Sequence, residues 1–267
     1  MTVLILDYYS GNRQPNFSVF GKAGFKAAYR KFSMQLGPDS EIDIDIKAQR
    51  DAGWGIAGTH WCDPSTSPAQ WATQADHFQR QIDLYDPAVL VLDEEHYWML
   101  WSEYWAGKVV TKAPPTRIRD NVAAIYEIVK RRNEPKPILH YTARWFTVSH
   151  CPLLGPWIGD KPAILADYFF YGKSTGIMQI DAEGLADLIP DVLADPIATP
   201  TGVTNIVMRQ FESRLHLDGT AHNYDMNVWL ADDALFYEWF NLGPAPPTLE
   251  ERVTTLEQTS HTHGGNP

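Results

Sequence analysis

A strand that ends in carboxylates is the clearest sign of chemistry in this chain. Residues 88–95 read AVLVLDEE, an apolar run typical of a strand buried on both faces, followed by three acids. Side chains alternate along a strand, which places Asp93 and Glu95 on one side and Glu94 on the other. Repulsion and partial burial would separate the pKa values of Asp93 and Glu95 and leave one protonated near neutral pH, as acid–base catalysis requires. The alternative interpretation is an acidic loop after a core strand.

The composition argues against several kinds of partner. The 267 residues carry a formal net charge of -11, and no basic cluster exceeds Lys130-Arg131-Arg132, so nucleic acid is not an expected partner. No apolar window reaches the length of a transmembrane helix, so no membrane insertion is predicted. The first residues lack a basic leader, which predicts synthesis in a cytoplasm without a signal peptide. Cys62 and Cys151 form neither a disulfide framework nor a Cys-x-x-Cys metal spacing, and we expect no metal and no cofactor.

Strand patterns recur along the chain and alternate with helical ones. Amphipathic or capped helical patterns cover residues 42–52, 68–84, 117–132 and 182–193, the last weakened by Pro190. Strands that alternate with helices predict an α/β fold, here an irregular TIM-like (β/α) barrel whose last helices are degenerate. The eight predicted strands lie at residues 3–9, 25–32, 53–62, 88–95, 137–142, 163–169, 205–212 and 224–229.

The segments outside this pattern are two insertions and a tail. Residues 98–115 are rich in aromatic side chains, and residues 171–202 form the second insertion. We expect Trp98, Trp101 and Trp105 to bury the first insertion against the barrel rather than to stack on sugars. Residues 1–242 are predicted to form the catalytic barrel, and the Gly/Pro-rich and then Thr/Glu/His-rich residues 243–267 a linker and tail, with a short helix possible at 248–257.

Acidic and aromatic residues recur near one end of the predicted strands. On a barrel, functional groups sit at the carboxyl ends of the strands, and the first and eighth strands are neighbours once the barrel closes. Four carboxylates are therefore expected at one mouth, namely Asp7, Asp93, Glu95 and Asp225. Corresponding positions on the strands predict six substrate-binding residues: His60, Trp61, Tyr141, Tyr168, Gln210 and Asn227.

These motifs resemble, in order along residues 3–240, those of the family 25 glycoside hydrolases, the muramidase lysozymes, of the phage-endolysin type. The Asp-x-Glu at Asp93–Glu95 is the most diagnostic piece of the resemblance. The other matching segments are LILDYYS at 4–10, NFSVFGKAGF at 16–25, ILHYT at 138–142, LADY at 165–168, RQF at 209–211 and YDMN at 224–227.

The sequence departs from the family pattern at three places. The family has a tyrosine where Thr59 precedes His60, and a tryptophan where Arg209 precedes Gln210. The two insertions are also unusual and would reshape the groove. All four acids are retained, so the resemblance implies the same reaction.

The resemblance implies an irregular β/α barrel that hydrolyses the β-1,4 bond between N-acetylmuramic acid and N-acetylglucosamine in peptidoglycan. Glu95 would be the general acid, and Asp93 would act as nucleophile or would stabilise attack by the substrate's own acetamido group; both routes retain the anomeric configuration. Asp7 and Asp225 would orient the sugar or tune the pair. The expected partner is the glycan strand of the bacterial cell wall, with delivery by a holin-like route or within a virion.

Two other functions remain open at this point. One is a metal-dependent barrel hydrolase that uses Asp7, His60, Asp93 and His140, although such sites usually have His-x-His on the first strand. The other is a non-catalytic glycan-binding or structural module of a virion. The four carboxylates argue against a binding module, because such a module has no need of mutually repelling acids.

Overall fold

The barrel predicted from the strand pattern is present in a computed structural model that describes residues 2–12, 14–169, 178–213 and 215–244. Within these residues eight strands close into a barrel in the order β1-β2-β4-β5-β6-β7-β9-β11, with β3 paired at the edge of β2. All eight predicted strands are confirmed. The strands are β1 (Leu4–Tyr8), β2 (Phe25–Met34), β3 (Gly37–Pro38), β4 (Gly55–Trp61), β5 (Val89–Asp93), β6 (Ile138–Ala143), β7 (Ala163–Ala166), β8 (Met178–Ile180), β9 (Ile206–Glu212), β10 (Leu215–Leu217) and β11 (Asp225–Trp229).

Helices cover most of the connections between barrel strands. The predicted long helices are confirmed, and the described part of the β9–β11 connection holds β10 and no helix, which agrees with the expected degeneration of the last helices. No helix of the described residues is long and apolar enough to span a bilayer. The helices are α1 (Phe17–Lys22), α2 (Ile42–Asp51), α3 (Pro68–Tyr85), α4 (Trp101–Trp105), α5 (Pro115–Asn133), α6 (Arg144–Ser149), α7 (Leu154–Ile158), α8 (Ala182–Ala194) and α9 (Asp233–Trp239).

Strand β11 runs against its two neighbours. It pairs antiparallel with both β1 and β9, whereas the pairs from β1 through β9 around the barrel are parallel. This corrects the expectation that Asp225 lies at the carboxyl end of its strand. Asp225 is the first residue of β11, and the reversed direction brings that amino end to the same mouth as the carboxyl ends of the parallel strands.

The described parts of the two insertions contain regular secondary structure. The first contains α4 and a bridge between Trp98 and Lys112, and the second contains β8 and α8, the crossover helix between β7 and β9. The Asp181 carboxylate accepts a hydrogen bond from the Gly184 amide (2.8 Å) and caps α8, which continues through Pro190. The division into barrel and tail stays a prediction, because residues 245–267, including 248–257, lie outside the described residues.

The buried guanidinium of Arg30 anchors β2, the strand that also supplies Tyr29 and Lys31 to the barrel interior. Arg30, on β2, is fully buried, and its Nε donates to the Asp45 carboxylate (2.7 Å) on α2. Its other nitrogens donate to the Asp39 carboxylate, the Ser40 carbonyl (2.6 Å) and the Lys31 carbonyl (2.5 Å). Four acceptors from the β2–α2 region therefore surround one cation, which adds ionic contacts to the apolar packing of β2.

We predict that Arg30→Leu destabilises the fold by about 3–5 kcal/mol, because it leaves the Asp39 and Asp45 carboxylates without their buried counterion. Urea unfolding followed by circular dichroism measures the loss. Lys47→Met is the control, since it removes an exposed i,i+4 pair with Asp51 that is worth less than about 1 kcal/mol. A similar small loss for both variants would contradict this account of β2.

Candidate active site

The mouth of the barrel holds a polar cavity of about 220 Å³. All four carboxylates predicted from the sequence lie in its wall, and so do three of the six predicted binding residues. Asp7 lies on β1 and Asp225 on β11, whereas Asp93 and Glu95 both come from the end of β5. The lining residues are Asp7, Tyr9, Tyr29, Lys31, Thr59, Trp61, Asp93, Glu95, Tyr141, Tyr168 and Asp225.

The acids at the end of β5 divide between two environments, as alternation predicts. Asp93 and Glu95 face the cavity, whereas Glu94 is buried on the other side and bonds to His140 Nδ1 (2.5 Å). The Glu95 amide donates to Asp93 Oδ1 (3.3 Å), a contact that favours the ionised form of Asp93. Burial nevertheless raises the pKa of Asp93 to about 7. Burial, with repulsion from Asp93 and Asp225, raises the pKa of Glu95 well above its ordinary value.

The second pair of acids comes from the closure of the barrel. Asp7 on β1 lies directly opposite Asp225 on β11 in the antiparallel register. Burial, followed by repulsion from Asp225 and Asp93, raises the pKa of Asp7 well above its usual range. Burial also raises the pKa of Asp225 to about 7, and Gln210 opposes that rise. Some carboxyl groups of the cavity therefore stay protonated near neutral pH, where exposed carboxyls would be ionised.

The cavity also contains a cation that the motifs did not indicate. Lys31 lines the cavity from β2, and its Nζ lies 4.1 Å from the centre of the Tyr9 ring and 5.4 Å from that of Trp61. Its charge lowers the pKa of Asp93 and of Asp7 against the effect of burial. The register of β2 with β4 shifts just after Lys31, and such bulges re-aim side chains beside functional sites. The signal was present in the sequence, since Lys31 and Tyr29 share the face of a buried strand.

Two buried amides contact three of the four tyrosines that line the cavity. The Tyr29 hydroxyl donates to Asn227 Oδ1 (2.8 Å), and Asn227 Nδ2 donates to the Ile5 carbonyl (3.2 Å) across the β1–β11 pair. The Tyr141 hydroxyl donates to the Gln210 side-chain oxygen, which also lies 3.5 Å from the hydroxyl of Tyr168. Gln210 and Asn227 are fully buried. Neither is among the residues that line the cavity, although both were predicted to bind substrate, and each holds a tyrosine that does line it.

Three solved structures share this arrangement of strands and helices. The lysozyme of Streptomyces coelicolor is 17% identical, with a TM-score of 0.65 over 90% of this chain and 98% of that one. The family 25 lysozyme of Aspergillus fumigatus is 15% identical, with a TM-score of 0.63 over 90% and 99%. The CTP1L endolysin is 18% identical, with a TM-score of 0.60 over 88% and 68%. The chain has the family 25 lysozyme fold. No protein-family model matches the sequence, and no curated protein matches it.

Within the lysozyme fold, His60 does not reach the cavity. Neighbouring residues of a strand face opposite sides, so Trp61 lines the cavity while His60 turns towards the helices. There it bonds to Ser33 (2.9 Å) and stacks on Phe78 of α3, 5.3 Å between ring centres. Burial lowers the pKa of His60 to about 4. The predicted role of His60 in substrate binding therefore lacks the necessary contact.

The tryptophans of the first insertion support the wall of the cavity. Trp98 and Trp101 contact the Trp61 ring edge to face, with centres 5.8 and 5.5 Å away. Trp98 is buried, whereas Trp105 at the end of α4 is 74% exposed. The expected burial of the insertion thus holds for Trp98 and does not hold for Trp105, which stacks on Trp101 from the solvent side.

The departures from the family motifs have separate structural explanations. Thr59 lines the cavity at the position where the motif of the family has tyrosine. Arg209 points outwards from β9 and pairs with Asp167 (2.9 Å) and Asp195 (2.8 Å). The alternative metal set does not assemble, because His60 and His140 face away from the cavity that holds Asp7 and Asp93.

We predict that Asp7→Asn stabilises the protein increasingly as the pH rises. The folded pKa of Asp7 is raised, so the wild type loses stability above the unfolded value of about 4, and asparagine removes this loss. The variant should melt a few degrees higher at pH 7, since 1 kcal/mol corresponds to roughly 2–4 °C in a domain of this size. Melting curves from pH 4 to pH 8 test this, with the exposed Asp187→Asn as control. A melting temperature that falls relative to wild type with pH would contradict it.

Proposed function

We propose that this protein is an N-acetylmuramidase that hydrolyses the β-1,4 bond between N-acetylmuramic acid and N-acetylglucosamine in peptidoglycan, with retention of configuration. The observation that carries the proposal is the convergence of four carboxylates in one cavity at the mouth of a lysozyme-like barrel, one pair from the neighbouring strands β1 and β11 and the other from the end of β5. The similarity in fold to lysozymes and to an endolysin supports peptidoglycan as the substrate class.

Glu95 is the proton donor of this mechanism. Departure of the glycosidic oxygen requires a carboxylic acid that is still protonated at the working pH. Burial and the negative charges of Asp93 and Asp225 raise the pKa of Glu95, which keeps the proton on its carboxyl group. The same charges favour the oxocarbenium-like transition state that follows.

Asp93 is the negative group beside the anomeric carbon. The Glu95 amide and the Lys31 cation both favour its ionised form and oppose the rise in pKa that burial causes. Asp93 acts either as the nucleophile or as the carboxylate that stabilises attack by the substrate's 2-acetamido group. Both routes invert the configuration twice and retain it overall.

The remaining acids and the tyrosines orient the sugar. Asp7 and Asp225 accept hydrogen bonds from sugar hydroxyls when ionised and donate them when protonated. Tyr29 and Tyr141 present hydroxyls fixed by buried amides, and Trp61 offers an aromatic face. A polar cavity with one aromatic wall suits a ring that has polar edges and an apolar face.

The net charge of the protein affects how it reaches the bacterial cell wall. A net charge of -11 repels the anionic polymers of bacterial walls, so the barrel relies on its groove and on delivery to the substrate. A phage lysin released through a holin-like route or carried in a virion meets this requirement.

The decisive experiment is mass spectrometry of muropeptides from purified peptidoglycan after digestion with wild type and Glu95→Gln. Wild type should create new reducing ends on N-acetylmuramic acid. Glu95→Gln should lower the rate by a factor of about 10²–10⁴, the range expected when a general acid is removed. Its melting temperature at pH 7 should equal or exceed that of wild type, because the change removes a buried ionisable group.

The matched control is Glu183→Gln, the same substitution at an exposed position of α8, which should keep full activity. A Glu95→Gln protein with wild-type activity would contradict the assignment of the acid. No cleavage by folded wild type, across several wall types, would favour a glycan-binding or structural module instead.

We predict that Lys31→Met moves the acidic limb of the pH–activity profile to higher pH. Lys31 lowers the pKa of Asp93, so its removal raises that pKa and reduces the fraction of ionised Asp93. The value of kcat/KM at pH 6 should fall by roughly threefold or more relative to wild type, while activity above pH 8 falls less. Lys22→Met, exposed at the end of α1, is the control, and an equal loss at every pH would contradict an electrostatic role for Lys31.

A further inference from the structure

A second pocket lies beside the catalytic cavity and shares the side chain of Tyr168 with it. This side pocket is about 630 Å³, larger than the catalytic cavity, and its wall comes from the residues that follow β6 and β7. It therefore opens at the same mouth of the barrel. Its lining residues are Arg144, Trp145, Val148, Ser149, Ala166, Asp167, Tyr168 and Ala198.

The wall of the side pocket is apolar and exposed. The Trp145 side chain is 49% exposed and that of Val148 is 65% exposed, although both are large hydrophobic residues on the short helix α6. Trp145 is nevertheless anchored, because its ring contacts Phe146 and His150 at 5.8 and 5.7 Å between centres. An apolar wall held in place beside a catalytic cavity is typical of a binding surface rather than of an ordinary protein exterior.

The wall of the side pocket contains one cation, Arg144, and one anion, Asp167. Arg144 is exposed at the start of α6, and no carboxylate among the described residues lies within ion-pair distance of its guanidinium. The pocket does contain Asp167, but that carboxylate is already paired with Arg209 (2.9 Å) and accepts from the Ala198 amide (3.3 Å). Arg144 is therefore the charged side chain of the pocket wall that has no charged partner among the described residues, and its guanidinium can pair with a carboxylate of a ligand.

We propose that this side pocket binds the peptide that peptidoglycan carries on the lactyl group of muramic acid. The proposal rests on the muramidase function above, since it needs the muramic acid ring in the catalytic cavity next to Tyr168. Stem peptides combine small apolar side chains with a glutamate carboxylate. The apolar wall of Trp145 and Val148 suits the former, and the Arg144 guanidinium suits the latter as a bidentate partner. The enzyme would thus prefer peptide-bearing glycan to bare glycan.

Calorimetric titration with three disaccharides of N-acetylglucosamine and N-acetylmuramic acid tests this. The first carries L-alanyl-D-glutamate on the lactyl group, the second has a free lactyl carboxylate, and the third has a neutral lactyl methylamide. Wild type should bind the first about tenfold more tightly than either of the others. Arg144→Gln and Trp145→Ala should each reduce this preference to about twofold or less.

Arg131→Gln is the control, because it removes an exposed arginine at the end of α5 that leads into the amino end of β6, whereas both pockets lie at the other end of the strands; it should keep the preference. Equal affinity of wild type for the first two disaccharides would overturn the proposal, since the bound anion would then be the lactyl group itself. A preference that survives in Arg144→Gln would also overturn it. Failure of the muramidase function is seen separately, as the absence of new reducing ends on polymeric peptidoglycan, and does not depend on these affinities.

Discussion

The crowding of negative charge in one partly buried cavity is the constraint on which the rest of the site depends. Four carboxylates line a cavity of about 220 Å³ with a single lysine among the lining residues. Coulomb repulsion in such a place is only weakly screened, so the acids cannot all ionise together. Protons remain on some of them near neutral pH, and Lys31 and the Glu95 amide bias which one loses its proton. A division between acid and carboxylate follows from this placement.

Such a cavity needs rigid support, because mobile acids would move apart or draw in water. The support comes from buried polar groups that do not touch the cavity. Asn227 joins β11 to β1 and holds Tyr29, while Gln210 holds Tyr141. Arg30 secures β2 from the outside with four acceptors. Each of these groups would be costly if left unpaired, which gives the barrel interior a single favourable arrangement.

The sequence was sufficient for the eight strands and for the acids, because buried parallel strands and the Asp-x-Glu pattern are strong local signals. Strand direction was not accessible in the same way. A strand with the residues of β11 has the same periodicity whether it runs parallel or antiparallel, so Asp225 was expected at the wrong end of it. Alternation could have separated Trp61 from His60, and it could have placed Lys31 next to Tyr29 in the cavity. The side pocket depends on α6, a helix of six residues too short for a clear periodic signal.

The antiparallel pairing of β1 with β11 has a consequence for folding. Asp7 and Asp225 lie more than 200 residues apart in the chain and meet only through this pairing. While β11 is undocked, the two carboxyls are separated and hydrated, and the remaining barrel strands can form an open sheet without this repulsion. Ring closure, a contact with a large entropic cost, is therefore also the event that brings Asp7 against Asp225. Proton uptake and the docking of this one strand are thermodynamically linked, and alkaline conditions shift the balance towards an opened ring.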